Sequence, residues 1–342
     1  MSSAAPAWAP AGRLRDRGIL ALLAALACLA GCTTGELTTS PSGAVVPRAG
    51  TATPSHERLG PVSWPADGTS AADISGVGVA DGPGAARRVP IASVAKLMTA
   101  YVILQDHPLS GAGPGPDITV EPSEAAAYPA QARAGESLVA VAAGEVISER
   151  QALEALLLPS ADNMAWILAR WDAGSQAAFT AKMNATARRL GMTGTSYTDA
   201  SGLDSSTTST AADQVRLGMA AMQTPALAAI TAMPAAVVPV AGLIRNTNTL
   251  LGQDGIAGLK TGSTQRAGGC LLVAARQQVD GHETLIVAAV FGQPGTAATI
   301  LPNALQAGYG LVLALDRALG AGAQSGWRDD SDGPPQGPPR TP

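Results

Sequence analysis

The sequence is poor in charge and in aromatic rings. Of its 342 residues only 14% are Asp, Glu, Lys or Arg, and 3% are aromatic. The net charge is −4, so there is no basic surplus to grip phosphates, and the rings are too few for stacking platforms. No nucleic acid is therefore expected as a partner. Three cysteines, Cys28, Cys32 and Cys270, cannot form a disulfide framework. The histidines are His56, His107 and His282, and none has metal-ligand spacing. No G-x-S-x-G stretch accompanies them, which argues against a Ser-His-Asp hydrolase. No apolar run reaches the ~18 residues of a membrane-spanning helix, so a multi-pass membrane protein is excluded.

What is present begins with an address. Arg13, Arg15 and Arg17 precede the uncharged apolar run Ile19–Ala30. A positive flank and a short apolar core make a secretory signal, below the ~20 residues of a comfortable span. The run ends in Leu29-Ala30-Gly31-Cys32, which resembles the lipobox of bacterial lipoproteins. That resemblance implies a signal peptide over residues 1–31 and a lipid on Cys32. It also implies a protein tethered to the extracytoplasmic face of the membrane. Residues 32–59, rich in Thr, Ser, Pro and Gly, read as a disordered tether, and residues 321–342 as a disordered tail. The folded body is expected over 60–320, long enough for a sizeable core.

Within the body, residues 71–80 read as a strand. Helices are expected from Ser93 to about Gln105, and over 151–158, 163–171, 176–190, 211–222 and 303–319. Valine-rich runs bounded by Gly or Pro at 236–240, 255–262, 268–276 and 283–291 read as strands. Their closeness in sequence favours antiparallel pairing, and the plan is an all-helical insertion between strands.

Three short segments could carry chemistry. Ser93-Val94-Ala95-Lys96 puts a hydroxyl and an amine on one helix face. A neutral lysine can take the serine proton, and burial favours that neutrality. Taken alone, the tetrapeptide also fits an N-cap serine with a solvated lysine. In LLLPSADN, a Pro-Ser turn opens a helix and is expected to expose Ser160; an ordinary N-cap fits equally. In Gly258-Leu259-Lys260-Thr261-Gly262-Ser263, a cation and a hydroxyl on a strand edge can meet an anionic ligand, and Gly262 allows close approach. A solvated edge strand with a protective lysine fits too.

The order Ser-x-x-Lys, serine turn, Lys-Thr-Gly is that of penicillin-recognising serine enzymes. Together with Gly144-Glu145 before ALEALLLPS, Ser201-Gly202-Leu203-Asp204 running into Ser209-Thr210-Ala211 with Asp213, and GGC after LKTGS, it resembles the D-alanyl-D-alanine carboxypeptidases. These are low-molecular-weight penicillin-binding proteins of the serine β-lactamase-like superfamily. The resemblance covers roughly 75–315. It implies an α/β fold of α+β type, with an antiparallel sheet flanked by helices and an all-helical subdomain. Ser93 would be the acylated nucleophile, Lys96 its base and Ser160 a proton relay. Lys260 and Thr261, beside Gly262 and Ser263, would bind the substrate carboxylate, and the N–H groups of Ser93 and Ser263 would form an oxyanion hole. The implied substrate is a peptidoglycan stem peptide ending in D-Ala-D-Ala. β-Lactams would be covalent inhibitors, no metal or organic cofactor is implied, and the chain is expected to act as a monomer.

One position departs from the family's Ser-x-Asn: here it is Ser160-Ala161-Asp162, with Asn163 next. An aspartate cannot donate a hydrogen bond as an amide does, and near Lys96 it favours the ammonium. Two outcomes follow: an enzyme with altered rate or pH optimum, or a local shift that brings Asn163 into the site. Asp162 also leaves open a wall-binding lipoprotein without turnover. A β-lactamase of the class that uses a glutamate for deacylation is disfavoured, because no Glu lies between Ala155 and His282. Tyr128 and Glu136 are candidates for the cleft wall, and Cys270 for a small core residue.

Overall fold

The structure, a computed structural model, describes residues 59–325. The expected signal, Cys32 and the tether to residue 58 lie outside the described residues. A five-stranded antiparallel sheet has the order β2-β1-β11-β10-β9. Its strands are β1 (Thr69–Ile74), β2 (Gly78–Asp81), β9 (Ile256–Thr264), β10 (Gly268–Val279) and β11 (His282–Gln293). Between β2 and β9 the chain leaves the sheet. It forms α1 (Lys96–Asp106), α2 (Pro122–Arg133), α3 (Glu149–Leu157), α4 (Asp162–Ala173), α5 (Gln176–Arg189), α6 (Ala211–Met222) and α7 (Pro225–Thr231). Three short ribbons accompany these helices: β3 (Val89–Pro90) with β6 (Thr208–Ser209), β4 (Asp117–Thr119) with β5 (Val146–Ser148), and β7 (Ala235–Val238) with β8 (Gly242–Arg245). Helix α8 (Ile300–Ser325) closes the chain.

Alternate residues of the sheet feed two cores. Ala71, Leu272, Ala274, Val287 and Ala289 pack toward the helical insertion; Ala72, Leu271, Val273, Ile286 and Ala288 pack on α8. Burial on both faces explains why β10 and β11 read as near-continuous apolar runs rather than alternating ones. Each large aliphatic side chain buried there contributes about 1.5–3 kcal/mol. Helix α1 is buried almost all round, including Leu97, Met98, Val102, Ile103 and Leu104, so it forms the axis of the helical region. Its first residue, Lys96, is drawn into that interior.

The structure corrects several expectations. Residues 71–80 are not one strand but a hairpin, because Gly76 and Gly78 take positive φ at the turn between β1 and β2. The run at 236–240 stays outside the main sheet and turns back at Val240 and Gly242. Helix α8 continues through Ser325, so the first residues of the expected tail are helical. Helix α2 lacks apolar periodicity and contains Pro129; Pro122, an acidic capping box and the Arg170–Glu124 ion pair at 2.6 Å hold it instead. No described helix is long and apolar enough to cross a membrane.

Glu149, first residue of α3, is fully buried, and neither carboxylate oxygen has a hydrogen-bond partner among the described residues. Burial pushes its carboxyl up to about 7, against 4.5 for an ordinary glutamate. A raised acid binds its proton more tightly in the folded state. Its stabilising contribution is complete below pH 4.5 and is lost as pH rises through about 7. Chemical denaturation should show the native chain losing up to about 3 kcal/mol across that window relative to Glu149→Gln. Parallel curves for the two proteins would contradict this assignment.

Candidate active site

Just before α1 the chain makes a single 3₁₀ turn, Ala92–Ala95. Ala92 carries a positive φ of 47°, which bends the backbone so that Ser93 projects from the turn. Its hydroxyl does not cap the turn or the helix, contrary to the simplest reading of its position. Instead Lys96 Nζ lies 2.9 Å from Ser93 Oγ. Gly202 holds the bend from outside: a Cβ there would stand 1.9 Å from the Ala92 carbonyl oxygen. Gly262 brings β9 against the same turn, where a Cβ would meet the Ser93 and Val94 nitrogens at 3.0 Å. Only glycine lets these three segments close on the hydroxyl.

Lys96 is fully buried, and its Nζ has two further partners, Asp162 Oδ1 at 2.7 Å and the Ser201 carbonyl at 3.1 Å. Burial lowers its basicity, and the Asp162 carboxylate opposes this; the net direction is down from an ordinary lysine. A neutral amine has two N–H bonds and one lone pair. Asp162 and Ser201 accept the two N–H groups, so the lone pair faces Ser93 Oγ. The geometry therefore lets one amine be oriented as donor and serve as proton acceptor at once.

Asp162 opens α4, where the helix N-terminus favours negative charge. Its Oδ2 accepts from the Ser137 N–H at 3.0 Å, and its own N–H donates to the Ser137 carbonyl at 2.6 Å. Asn163 takes no part. Its amide is spent on both backbone groups of Val139, at 2.8 and 3.3 Å. The alternative of a shifted register with Asn163 in the site is thereby removed: one residue along the helix turns it to the other side.

Ser160 is brought to the same loop but is not exposed as expected. It is 6% accessible, held in left-handed backbone at φ 66°, and its Oγ is buried with no partner among the described residues. A buried hydroxyl without a partner costs about 1–3 kcal/mol, which a ligand group can recover. Lys260 is likewise buried. Among the described residues its Nζ reaches only the Thr261 carbonyl, at 3.0 Å. Burial, then the neighbouring Lys96 charge, hold it well below an ordinary lysine, with Asp162 opposing. The Lys260 amine therefore keeps N–H groups to spare for an anionic ligand. Thr261 Oγ1 is 2.6 Å from Thr247 Oγ1, and the Thr247 N–H donates to the Leu158 carbonyl at 3.0 Å. Thr247 thus ties the Lys-Thr-Gly strand to the turn that carries Ser160.

Glu136 also reaches the site: burial and then the Asp162 charge raise its carboxyl, and Lys96 lowers it. The Tyr128 hydroxyl makes no hydrogen bond among the described residues. Cys270 is a buried core thiol, pushed up to about 12 by burial. Ser137, Asp199 and Thr247 carried no recognisable signal in the sequence, because they act through partners distant along the chain. Asp199 accepts from the Ser201 hydroxyl at 2.7 Å and the Leu203 N–H at 3.0 Å, so it fixes the loop whose carbonyl meets Lys96. No cluster of three potential metal ligands occurs among the described residues.

The family model described as D-alanyl-D-alanine carboxypeptidase, peptidase S11, matches residues 82–294, which span every residue of this constellation. The chain belongs to that family. This family member is 37% identical over 210 residues to the D-alanyl-D-alanine carboxypeptidase DacB2 of Mycobacterium tuberculosis, covering 59% of this chain and 67% of that one. It is 37% identical over 194 residues to a D-alanyl-D-alanine endopeptidase of Pseudomonas aeruginosa, covering 54% and 59%. The chain thus spans about six-tenths of that relative's length. The Streptomyces K15 DD-transpeptidase superposes with a TM-score of 0.63 at 22% identity, over 74% of this chain and 98% of that one. The fold is accordingly that of the serine β-lactamase-like penicillin-binding proteins.

Proposed function

We propose that this protein is a serine D-Ala-D-Ala carboxypeptidase that trims peptidoglycan stem peptides. The observation that carries the reading is the fully buried Lys96 amine 2.9 Å from Ser93 Oγ, with its N–H bonds engaged elsewhere. The substrate's terminal carboxylate pairs with Lys260 and accepts from Thr261. Ser93 Oγ attacks the penultimate D-Ala carbonyl carbon while its proton passes to Lys96 Nζ. The N–H groups of Ser93 and Ser263 hold the oxyanion. The C–N bond then breaks, and the leaving D-Ala amine takes a proton relayed through the Ser160 hydroxyl. Water hydrolyses the ester, returning free Ser93 and a shortened stem. A β-lactam carries the same carboxylate and a strained amide, so it acylates the same oxygen.

Mass spectrometry after incubation with penicillin and, separately, with a D-Ala-D-Ala peptide tests the reading. Native protein should carry an adduct on Ser93 and release D-Ala; Ser93→Ala should do neither. An adduct that persists in Ser93→Ala would overturn the assignment of the nucleophile. A chain that binds stem peptide but is never acylated would instead be the wall-binding lipoprotein without turnover. Export and a lipid on Cys32 complete the proposal, supported by the arginine-flanked apolar run and Leu29-Ala30-Gly31-Cys32. Cys32→Ala should then move the protein from the membrane fraction to the soluble one.

A further inference from the structure

A groove of about 420 Å³ opens at one end of the sheet, between the segment leading into β1 and the first turns of α8. Its lining includes Trp64, Asp67, Gln293, Asn303, Gln306 and Gly310. The Trp64 indole is half-buried against Gly82, where a Cβ would stand 2.5 Å from the ring, and its Nε1 has no hydrogen-bond partner among the described residues. Gln293 and Asn303 have their amide N–H groups engaged, on the Asp67 and Pro294 carbonyls at 2.9 and 2.7 Å. Among the described residues their amide oxygens have no partner, and Gln306 is exposed with neither end of its amide engaged. Asp67 is the one charged residue of the lining. A ring face, amide acceptors and almost no charge suit a neutral ligand that is rich in hydroxyls and has flat apolar faces. Those are the properties of a sugar, and the volume falls in the range of small-ligand sites.

The groove also lies where the substrate must lead. On the proposed function, the stem's carboxylate sits at Lys260 and Thr261 and its reacting carbonyl at Ser263. The rest of the stem therefore continues along β9 toward Thr264 and the sheet end. There Gly269 pairs with Ser263 on one side and with Gln293 on the other. Two strand spacings separate Ser263 from Gln293, about 10 Å. With its last two residues held in the active site, a stem of about five residues has about three left, which span ~10 Å at ~3.4 Å per residue, enough to bring its sugar end to Gln293 at the rim of the groove.

We infer that this groove binds the N-acetylated sugar of the glycan strand whose stem peptide occupies the active site. This rests on the peptidoglycan reading of that site. The protein then discriminates polymer-linked stems from free peptides through a surface whose rim residue Gln293 lies two strand spacings from Ser263.

Gly310 provides the test. It is exposed, has open space at its Cβ position and sits inside a helix, so Gly310→Gln fills the groove while favouring the helix. D-Ala release should be measured from a disaccharide-linked stem pentapeptide and from the same peptide without sugar. Native protein should favour the linked substrate about tenfold in KM. Gly310→Gln and Gln306→Lys should lose that preference with turnover of the free peptide unchanged. An undiminished preference in both variants, or none in the native protein, would overturn the inference. Calorimetric titration with the peptide-free disaccharide reads the groove independently of catalysis. Binding abolished by Gly310→Gln supports the site even if no D-Ala is released, in which case the proposed function alone falls. Absence of binding together with equal KM values rejects the groove while leaving the carboxypeptidase reading intact.

Discussion

Lys96→Met should slow acylation by a chromogenic β-lactam by about 10²–10⁴-fold, the range lost with a positioned general base. Methionine has nearly the length of the lysine stem and is apolar, which suits a side chain that is fully buried. It removes the only amine in contact with Ser93 Oγ among the described residues. The substitution also leaves Asp162 buried with one N–H donor, from Ser137. Removing one partner of a buried ion pair costs about 3–5 kcal/mol, so a fall in Tm is expected as well. The double variant Lys96→Met, Asp162→Asn separates the two effects. It should regain much of the lost stability, because no unpaired carboxylate remains, and it should stay as slow in acylation. If the double variant recovers the rate along with the stability, Lys96 is structural and the mechanism is wrong.

The second large effect is on pH. Asp162→Asn removes a negative charge 2.7 Å from Lys96 Nζ while keeping its shape. Asp162 raises the basicity of Lys96 and burial lowers it, so without the carboxylate the lowering goes unopposed. The neutral, proton-accepting amine then persists to lower pH. The acid limb of the acylation profile should move down by at least one pH unit, since an opposite charge at this distance shifts a group by about 1–3 units. An amide cannot accept from both Lys96 and the Ser137 N–H, so the 134–140 loop loses one anchor and the plateau rate should fall by less than about tenfold. An acid limb that stays in place, or moves up, would mean that Lys96 is not the titrating base.

Asp162 also shows how far reading residues in a row can reach. An aspartate where the family has asparagine left two candidates, and the one-residue rotation of α4 selects between them: Asp162 faces Lys96, Asn163 faces Val139. Ser160 was expected in the open because a Pro-Ser turn before a helix is ordinarily a surface feature. Here Thr247 and the Leu158 carbonyl bind that turn to β9, and the hydroxyl is enclosed. Helix α2 escaped notice because an Ala-rich stretch with an internal proline has no apolar face, and it is held by Arg170 from α4. The regular elements were more visible: α5, α6, β10 and β11 sit within a few residues of the expected spans, because both their periodicity and their glycine boundaries are local properties.

The reactive groups and their order along the chain, Ser93 with Lys96, then Ser160, then Lys260 with Thr261, were written in the residues themselves, as were the alternation of strands and helices. The charge state of those groups was not. Whether an amine beside a serine is a solvated cation or a neutral base depends on how much water and which charges surround it. Those surroundings come from Asp162, Ser201 and β9, segments far apart in the chain that only packing brings within 3.1 Å of one nitrogen or closes over it.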